Sequence, residues 1–282
     1  MCIVFIFFDP YNFISRYKLI LASNRDESYH RLSKPADFWK FGTETIISGL
    51  DLQTENPYGT WLGMNRKGKI SVITNYMQPK EDPNAISRGY LVSDYLISYT
   101  NGYDYLLDIS KKNHLYNGFN LITASFENGN DKIYYYSNRY KEPPKELSYG
   151  IYGLSNSLLD TPWTKLTYGK KKFTYIVNQN SCSNSDKITN SLLSLLNDTT
   201  PIPIDPAIEE QGKEFITPIL KEYSAICVKA KGYGSRTNTV ITIDHDYNVS
   251  FTERTMLDTE GKEWKTSNFI FKIDDKNNLN TC

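Results

Sequence analysis

Cys2 stands directly behind Met1. A small second residue permits removal of an initiator methionine, which would leave Cys2 with a free α-amine beside its own thiol. An amine of that kind titrates at about 7.7–8.0, so much of it is neutral near physiological pH and able to accept a proton. A nucleophile activated by its own terminal amine is a known device in acyl transfer. The plainer alternative is a small residue packed as an inert, buried thiol.

An acyl-transfer site also needs an oxyanion holder and groups that fix the geometry. Arg25 and Asp26, in the run Asn24-Arg25-Asp26-Glu27, are candidates to orient the amine and to stabilise a thiolate or a substrate. A charge pair at a strand end is the competing explanation. Asn75, in Ile73-Thr74-Asn75-Tyr76, and Asn156, in Gly153-Leu154-Ser155-Asn156, are candidate amide donors to an oxyanion, a role worth about 3–4 kcal/mol where it has been measured. Asparagines more often satisfy turn backbone. Arg236 lies in the polar cluster 234–239. It is a candidate for recognising a carboxylate or phosphate, or for pairing with a surface acid.

These residues need elements to bring them together. The apolar run 2–8 predicts a strand covered on both faces, broken by turn chemistry at Asp9-Pro10-Tyr11-Asn12. Residues 17–23 predict a second strand, and an antiparallel hairpin is the simplest pairing. A turn centred near Phe13 places Cys2 opposite Asn24 and sets Arg25, Asp26 and Glu27 beside it. Further strands are predicted at 59–65 and 69–75, joined by a tight Arg66-Lys67-Gly68 turn, and at 119–125 and 132–137. Helices are predicted at 87–99, 103–110, 162–178 (with Pro162 in its first turn) and 185–196, the last capped by Asn184 or Ser183. The final third reads as strands at 223–229, 239–244, 249–254 and 264–273. Asn156 falls in a loop, and 200–206 is read as a crossing loop. Strands at both ends with helix pairs between them predict an α+β sandwich of two antiparallel sheets covered by helices, spanning residues 1–273 as one domain with a frayed polar tail at 274–282.

Composition narrows the function. Lys and Arg number 32 against 32 Asp and Glu, and no basic block exceeds Lys170–Lys172. That gives no phosphate-backbone footprint, so no nucleic-acid partner is expected. The four cysteines show no CxxC spacing, and the three histidines (His30, His114 and His245) are scattered. No metal site and no cofactor are expected. The opening apolar run lacks the basic flank and cleavage site of a signal peptide. No stretch approaches the roughly 20 apolar residues of a membrane span, so a soluble chain made in a reducing compartment is expected.

Several ordered stretches carry a resemblance: Met1-Cys2-Ile3, residues 22–27, Gly59-Thr60-Trp61-Leu62-Gly63, Thr74-Asn75-Tyr76, residues 114–120, Gly153-Leu154-Ser155-Asn156, residues 205–209, Arg236-Thr237-Asn238-Thr239 and Thr252-Glu253-Arg254. They resemble the NRDE family, also called the transport and Golgi organization protein 2 family, over nearly the whole chain. The resemblance implies a four-layer αββα Ntn-hydrolase-like sandwich. It also implies a cytoplasmic protein linked to Golgi organisation, secretion, lipid homeostasis and haem mobilisation, in contact with Golgi and mitochondrial membranes at their periphery. By similarity to the cysteine amidases of that fold, Cys2, Arg25, Asp26, Asn75, Asn156 and Arg236 are the positions carried over. Ser28 stands where those amidases carry their second acid. Two functions stay open: a trafficking factor that binds a lipid-like or haem-like ligand, and an amidase or acyltransferase with Cys2 as nucleophile.

Overall fold

The computed structural model describes residues 2–13, 15–53, 58–127, 129–212 and 216–274. The chain opens with strands β1 (Cys2–Phe8), β2 (Tyr17–Ser28), β3 (Ser33–Phe41), β4 (Glu44–Asp51), β5 (Leu62–Asn65) and β6 (Lys69–Asn75). Helices α1 (Tyr90–Ile97) and α2 (Gly102–Lys111) follow, then β7 (Phe119–Ser125), β8 (Lys132–Ser137), β9 (Lys145–Leu147) and β10 (Gly150–Leu154). Next come α3 (Thr164–Gln179), α4 (Ser185–Leu196) and the short α5 (Pro206–Gln211) and α6 (Leu220–Tyr223). Strands β11 (Lys229–Ala230), β12 (Tyr233–Asp244), β13 (Asn248–Met256) and β14 (Trp264–Lys272) complete it.

One antiparallel sheet runs β10-β1-β2-β12-β13-β14, with β11 beside β12, and the other runs β3 to β9 in chain order. The sheets face each other. Helices α3 and α4 cover the outside of the first, and α1 and α2 the outside of the second. This is the α+β, four-layer αββα sandwich of two antiparallel sheets.

Strand β1 shows why its sequence carries no alternation. Ile3, Phe5 and Phe7 pack under α3 and α4 with Phe173 and Leu192. Val4, Ile6 and Phe8 pack between the sheets with Leu62 and Ile122. A strand buried on both sides reads as a continuous apolar run. Helix α3 comes close because of Gly169, where an added Cβ would sit 2.3 Å from the Phe5 ring. The predicted turn before β6 needs Gly68, whose φ of +92° is left-handed.

The structure departs from the sequence reading at several elements. Strands β3 and β4 were not foreseen. β3 contains Pro35, is half-exposed, lies at the edge of its sheet and carries a bulge between Lys34 and Asp37, which is where a proline is tolerated. Of the segment predicted as a strand at 223–229, Tyr223 ends α6, residues 224–228 are irregular buried chain and only Lys229 is in a strand, opening β11. The segment's apolar residues, including Ile226 and Val228, fill the helix-side core, while Cys227 N bonds Asp198 O at 2.9 Å. Pro162 lies before α3, not in its first turn, and Asp205 Oδ2 accepts from Thr164 N at that helix start. β12 begins at Tyr233, so the 234–239 cluster is inside a strand. Of the polar tail, Asp274 is held by its own N–H to Arg66 O at 2.8 Å and an ion pair with Arg66 at 3.1 Å; residues 275–282 lie outside the described residues. No described helix is long and apolar enough to cross a membrane.

Candidate functional site

The β1–β2 hairpin sets the site. Cys2 pairs with Arg25, and Ile3 with Asn24, one residue away from the predicted register. The ladder closes through Asp9 N to Lys18 O at 2.8 Å, which moves the centre of the turn half a residue past Phe13. A slip of one residue exchanges the two faces of a strand. Arg25 therefore shares the inter-sheet face with Cys2, and Asn24 points to the helices. There the Asn24 amide donates to Leu196 O (2.8 Å) and Ile226 O (3.1 Å).

Arg25 is almost wholly buried. Its guanidinium lies 4.0 Å over the Trp61 ring, and Nη2 reaches Asp51 Oδ2 at 3.2 Å. Arg31 Nε binds the same Asp51 oxygen at 2.8 Å and stands 3.7 Å from Glu27. Arg25 Nη1 has no hydrogen-bond partner among the described residues, so a buried donor of a charged group is left for something else. Burial lowers the Arg25 pKa, yet a guanidinium stays charged in proteins. Burial also works against the Glu27 carboxylate, but the surrounding positive charges, Arg25 among them, hold its pKa below the ordinary value.

Cys2 is partly exposed as a residue, while protein encloses its sulfur. Burial pushes the thiol pKa up, and the positive charges of the chain terminus and Arg25, with the Asp26 backbone N–H, only partly offset that. The thiol is thus held protonated, and attack on a carbonyl needs a base. The Asp26 carboxyl is buried, accepts from Ser235 Oγ, and has its pKa raised by desolvation.

Cys2, Arg25, Asp26 and Asn75 line one cavity of about 900 Å³ that opens between the sheets. Its remaining wall includes Glu27, Arg31, Asp51, Thr60 and Trp61, and the 81–90 segment, where Arg88 pairs with Glu81 at 3.0 Å. Two of the predicted residues are not on this wall. Asn156 is buried behind Asn75: its Nδ2 donates to Asn75 O at 2.7 Å and its Oδ1 accepts from Tyr223 Oη at 3.3 Å. Arg236 sits at a bulge in β12. Its Nη1 donates to the carbonyls of Ser28 (2.8 Å), Tyr29 (3.3 Å) and Arg31, so it clamps the β2–β3 turn and forms no ion pair with an acid among the described residues. Ser28 is not on the wall either.

The family model for Transport and Golgi organisation 2 matches residues 1–258. The chain belongs to that family. The Transport and Golgi organization 2 homolog of Mus musculus is 46% identical over 275 residues, covering 97% of this chain and 99% of the mouse protein. Transport and Golgi organization protein 2 of Drosophila melanogaster is 28% identical over 280 residues, covering 94% of this chain and 95% of the fly protein. Among solved structures, a C2A mutant of a conjugated bile acid hydrolase from Clostridium perfringens aligns with 95% of this chain and 97% of its own, at 12% identity and a TM-score of 0.40. A Caenorhabditis elegans N-acylethanolamine-hydrolyzing acid amidase ortholog aligns with 85% of this chain and 92% of its own, at 10% identity and a TM-score of 0.45.

In this member of the Transport and Golgi organisation 2 family, several site residues escaped the sequence reading. Trp61 stood in a quoted stretch, Gly59-Thr60-Trp61-Leu62-Gly63, and a tryptophan beside a strand start was an available signal. Asp51 and Arg31 had none, because the strands that deliver them were not foreseen. Ser235 lay in the 234–239 cluster, but its role appears only once β12 pairs it with Asp26. Tyr223 and Lys165 belong to distant elements and meet only through the fold.

Proposed function

We propose that this protein binds a small polar acyl compound between the sheets and transfers or hydrolyses its acyl group through Cys2. The carrying observation is that Cys2 and Arg25 share one strand face and both line one polar cavity. With Met1 removed, the Cys2 amine takes the thiol proton as the sulfur attacks the carbonyl. The same amine returns the proton to the leaving nitrogen, and water then cleaves the thioester. Arg25 Nη1 holds the ligand's carbonyl or carboxylate oxygen, and the Asn75 amide supports the oxyanion. The relatives carry names for transport and Golgi organization, which supports the reading that such chemistry serves that role, with peripheral contact at Golgi or mitochondrial membranes part of the same proposal.

A second reading, a binding protein that performs no chemistry on a lipid-like or haem-like ligand, draws on the apolar strip Trp61, Ile73, Ile86 and Tyr90 along the same wall. One experiment separates the two. The intact mass of the purified protein is expected to lack Met1, and p-nitrophenyl acetate is expected to acetylate Cys2 in the wild type but leave Cys2→Ala unmodified at that position. A retained Met1 or an N-acetylated Cys2 defeats the amine-assisted mechanism. Equal rescue of a secretion defect by wild type and Cys2→Ala favours the binding protein.

A further inference from the structure

Behind the cavity wall lies a buried chain of hydrogen bonds that the chemistry above does not use. Tyr223 is fully buried. Lys165, from the first turn of α3, donates to the Tyr223 carbonyl at 2.8 Å and stands 4.4 Å over the same ring. The Tyr223 hydroxyl meets Asn156 Oδ1 at 3.3 Å, and Asn156 Nδ2 meets Asn75 O at 2.7 Å. The neighbouring Ser155 Oγ donates to Cys2 O at 3.2 Å, and Met77 N donates to Asn156 O at 2.7 Å. The Ser155-Asn156 pair therefore ties the first residue of β1 to the last residue of β6, across the two sheets and at the rim of the cavity.

The geometry points to Tyr223 as a positioning residue for the Cys2 site: its hydroxyl fixes the Asn156 amide, which holds the end of β6 and so sets where the Asn75 side chain stands on the wall. The assignment rests on the reading of Cys2 as an acyl acceptor. Lys165 fixes Tyr223 in turn. Burial lowers its ammonium pKa to about 8, a cost consistent with a cation kept in place by the tyrosine carbonyl and ring. A buried amide is free to turn over or rotate unless its partners hold it, and a small displacement of a donor is felt steeply in rate.

Two reagents distinguish positioning from a general loss of structure. Acetylation of Cys2 by p-nitrophenyl acetate forms a thioester and releases p-nitrophenolate through a tetrahedral oxyanion. Alkylation by iodoacetamide forms a carbon–sulfur bond, releases iodide and builds no oxyanion. Tyr223→Phe keeps the ring under Lys165 and removes only the hydroxyl. It is expected to slow acetylation about tenfold while leaving alkylation within about twofold, and the double variant Tyr223→Phe/Asn75→Ala is expected to be no slower than Asn75→Ala alone. Equal slowing of both reagents, no slowing of either, or additive losses overturn the assignment. If wild-type Cys2 is not acetylated at all, the proposed function fails and a second measurement decides the positioning. By nuclear magnetic resonance, the Asn156 side-chain amide protons are expected to exchange with water at least about tenfold faster in Tyr223→Phe, and unchanged exchange overturns it.

Discussion

Replacing Asn24 by alanine is expected to lower stability by about 3–5 kcal/mol without altering the wall of the cavity. Asn24 is fully buried, and every polar atom of its side chain is engaged. Its Nδ2 donates to Leu196 O and Ile226 O, and its Oδ1 accepts from Asn238 Nδ2 at 2.7 Å. Asn238 Oδ1 accepts in turn from Asn197 Nδ2 at 3.1 Å, and Arg254 reaches Asn197 Oδ1 at 3.2 Å. Alanine leaves two carbonyls and one amide stranded in a dry interior, each worth about 1–3 kcal/mol unpaired, with partial relaxation bringing the sum down. Asn24→Asp is expected to be at least as damaging, because a carboxylate oxygen would face the two carbonyl oxygens to which the Asn24 amide now donates. Denaturant unfolding of the two variants and the wild type measures this. A loss below about 1 kcal/mol for Asn24→Ala would show that the network is dispensable.

The same residue shows what could be read from the sequence. The run Ala22-Ser23-Asn24-Arg25-Asp26-Glu27 marked a functional hairpin end, and both strands of that hairpin were legible from their apolar runs. Which neighbour faces which layer was not legible, because it depends on whether the turn centres on Phe13 or half a residue beyond. That half residue separates Arg25, in the cavity, from Asn24, a structural pin. The helices with clear spacing, α2 and α4, were legible almost to the residue. The segment after Tyr223 was not, since a buried apolar run has the same composition whether it is a strand or irregular chain held by side-chain amides. Asn75 was read correctly as the end of a strand, and its place on the wall follows. Asn156 and Arg236 were chosen by residue type and by similarity to the cysteine amidases, and neither reveals that backbone carbonyls would claim both.

Glu253→Gln is expected to flatten the pH dependence of stability and to stabilise the protein at pH 8 relative to pH 5, measured against the wild type. Glu253 is buried between the sheets. Its Oε1 accepts from Ala36 N at 2.7 Å and Thr255 Oγ1 at 2.8 Å, which hangs the edge strand β3 on the first sheet. Burial pushes this carboxyl from its ordinary 4.5 up to about 7, against the lowering effect of Thr255, Ala36 and Arg25. The native state therefore keeps a proton that the unfolded chain has released, and stability falls as pH rises from about 4.5 to about 7. The whole span is worth on the order of 3 kcal/mol at full ionisation. Glutamine retains the Oε1 acceptor and cannot ionise, so the difference between variant and wild type should grow through that window and level off above it. Parallel stability curves for the two proteins from pH 5 to pH 8 would show that Glu253 is ionised throughout. In that case its negative charge sits permanently near Arg25, and the guanidinium at the cavity is neutralised from behind, which would weaken its hold on an anionic ligand group.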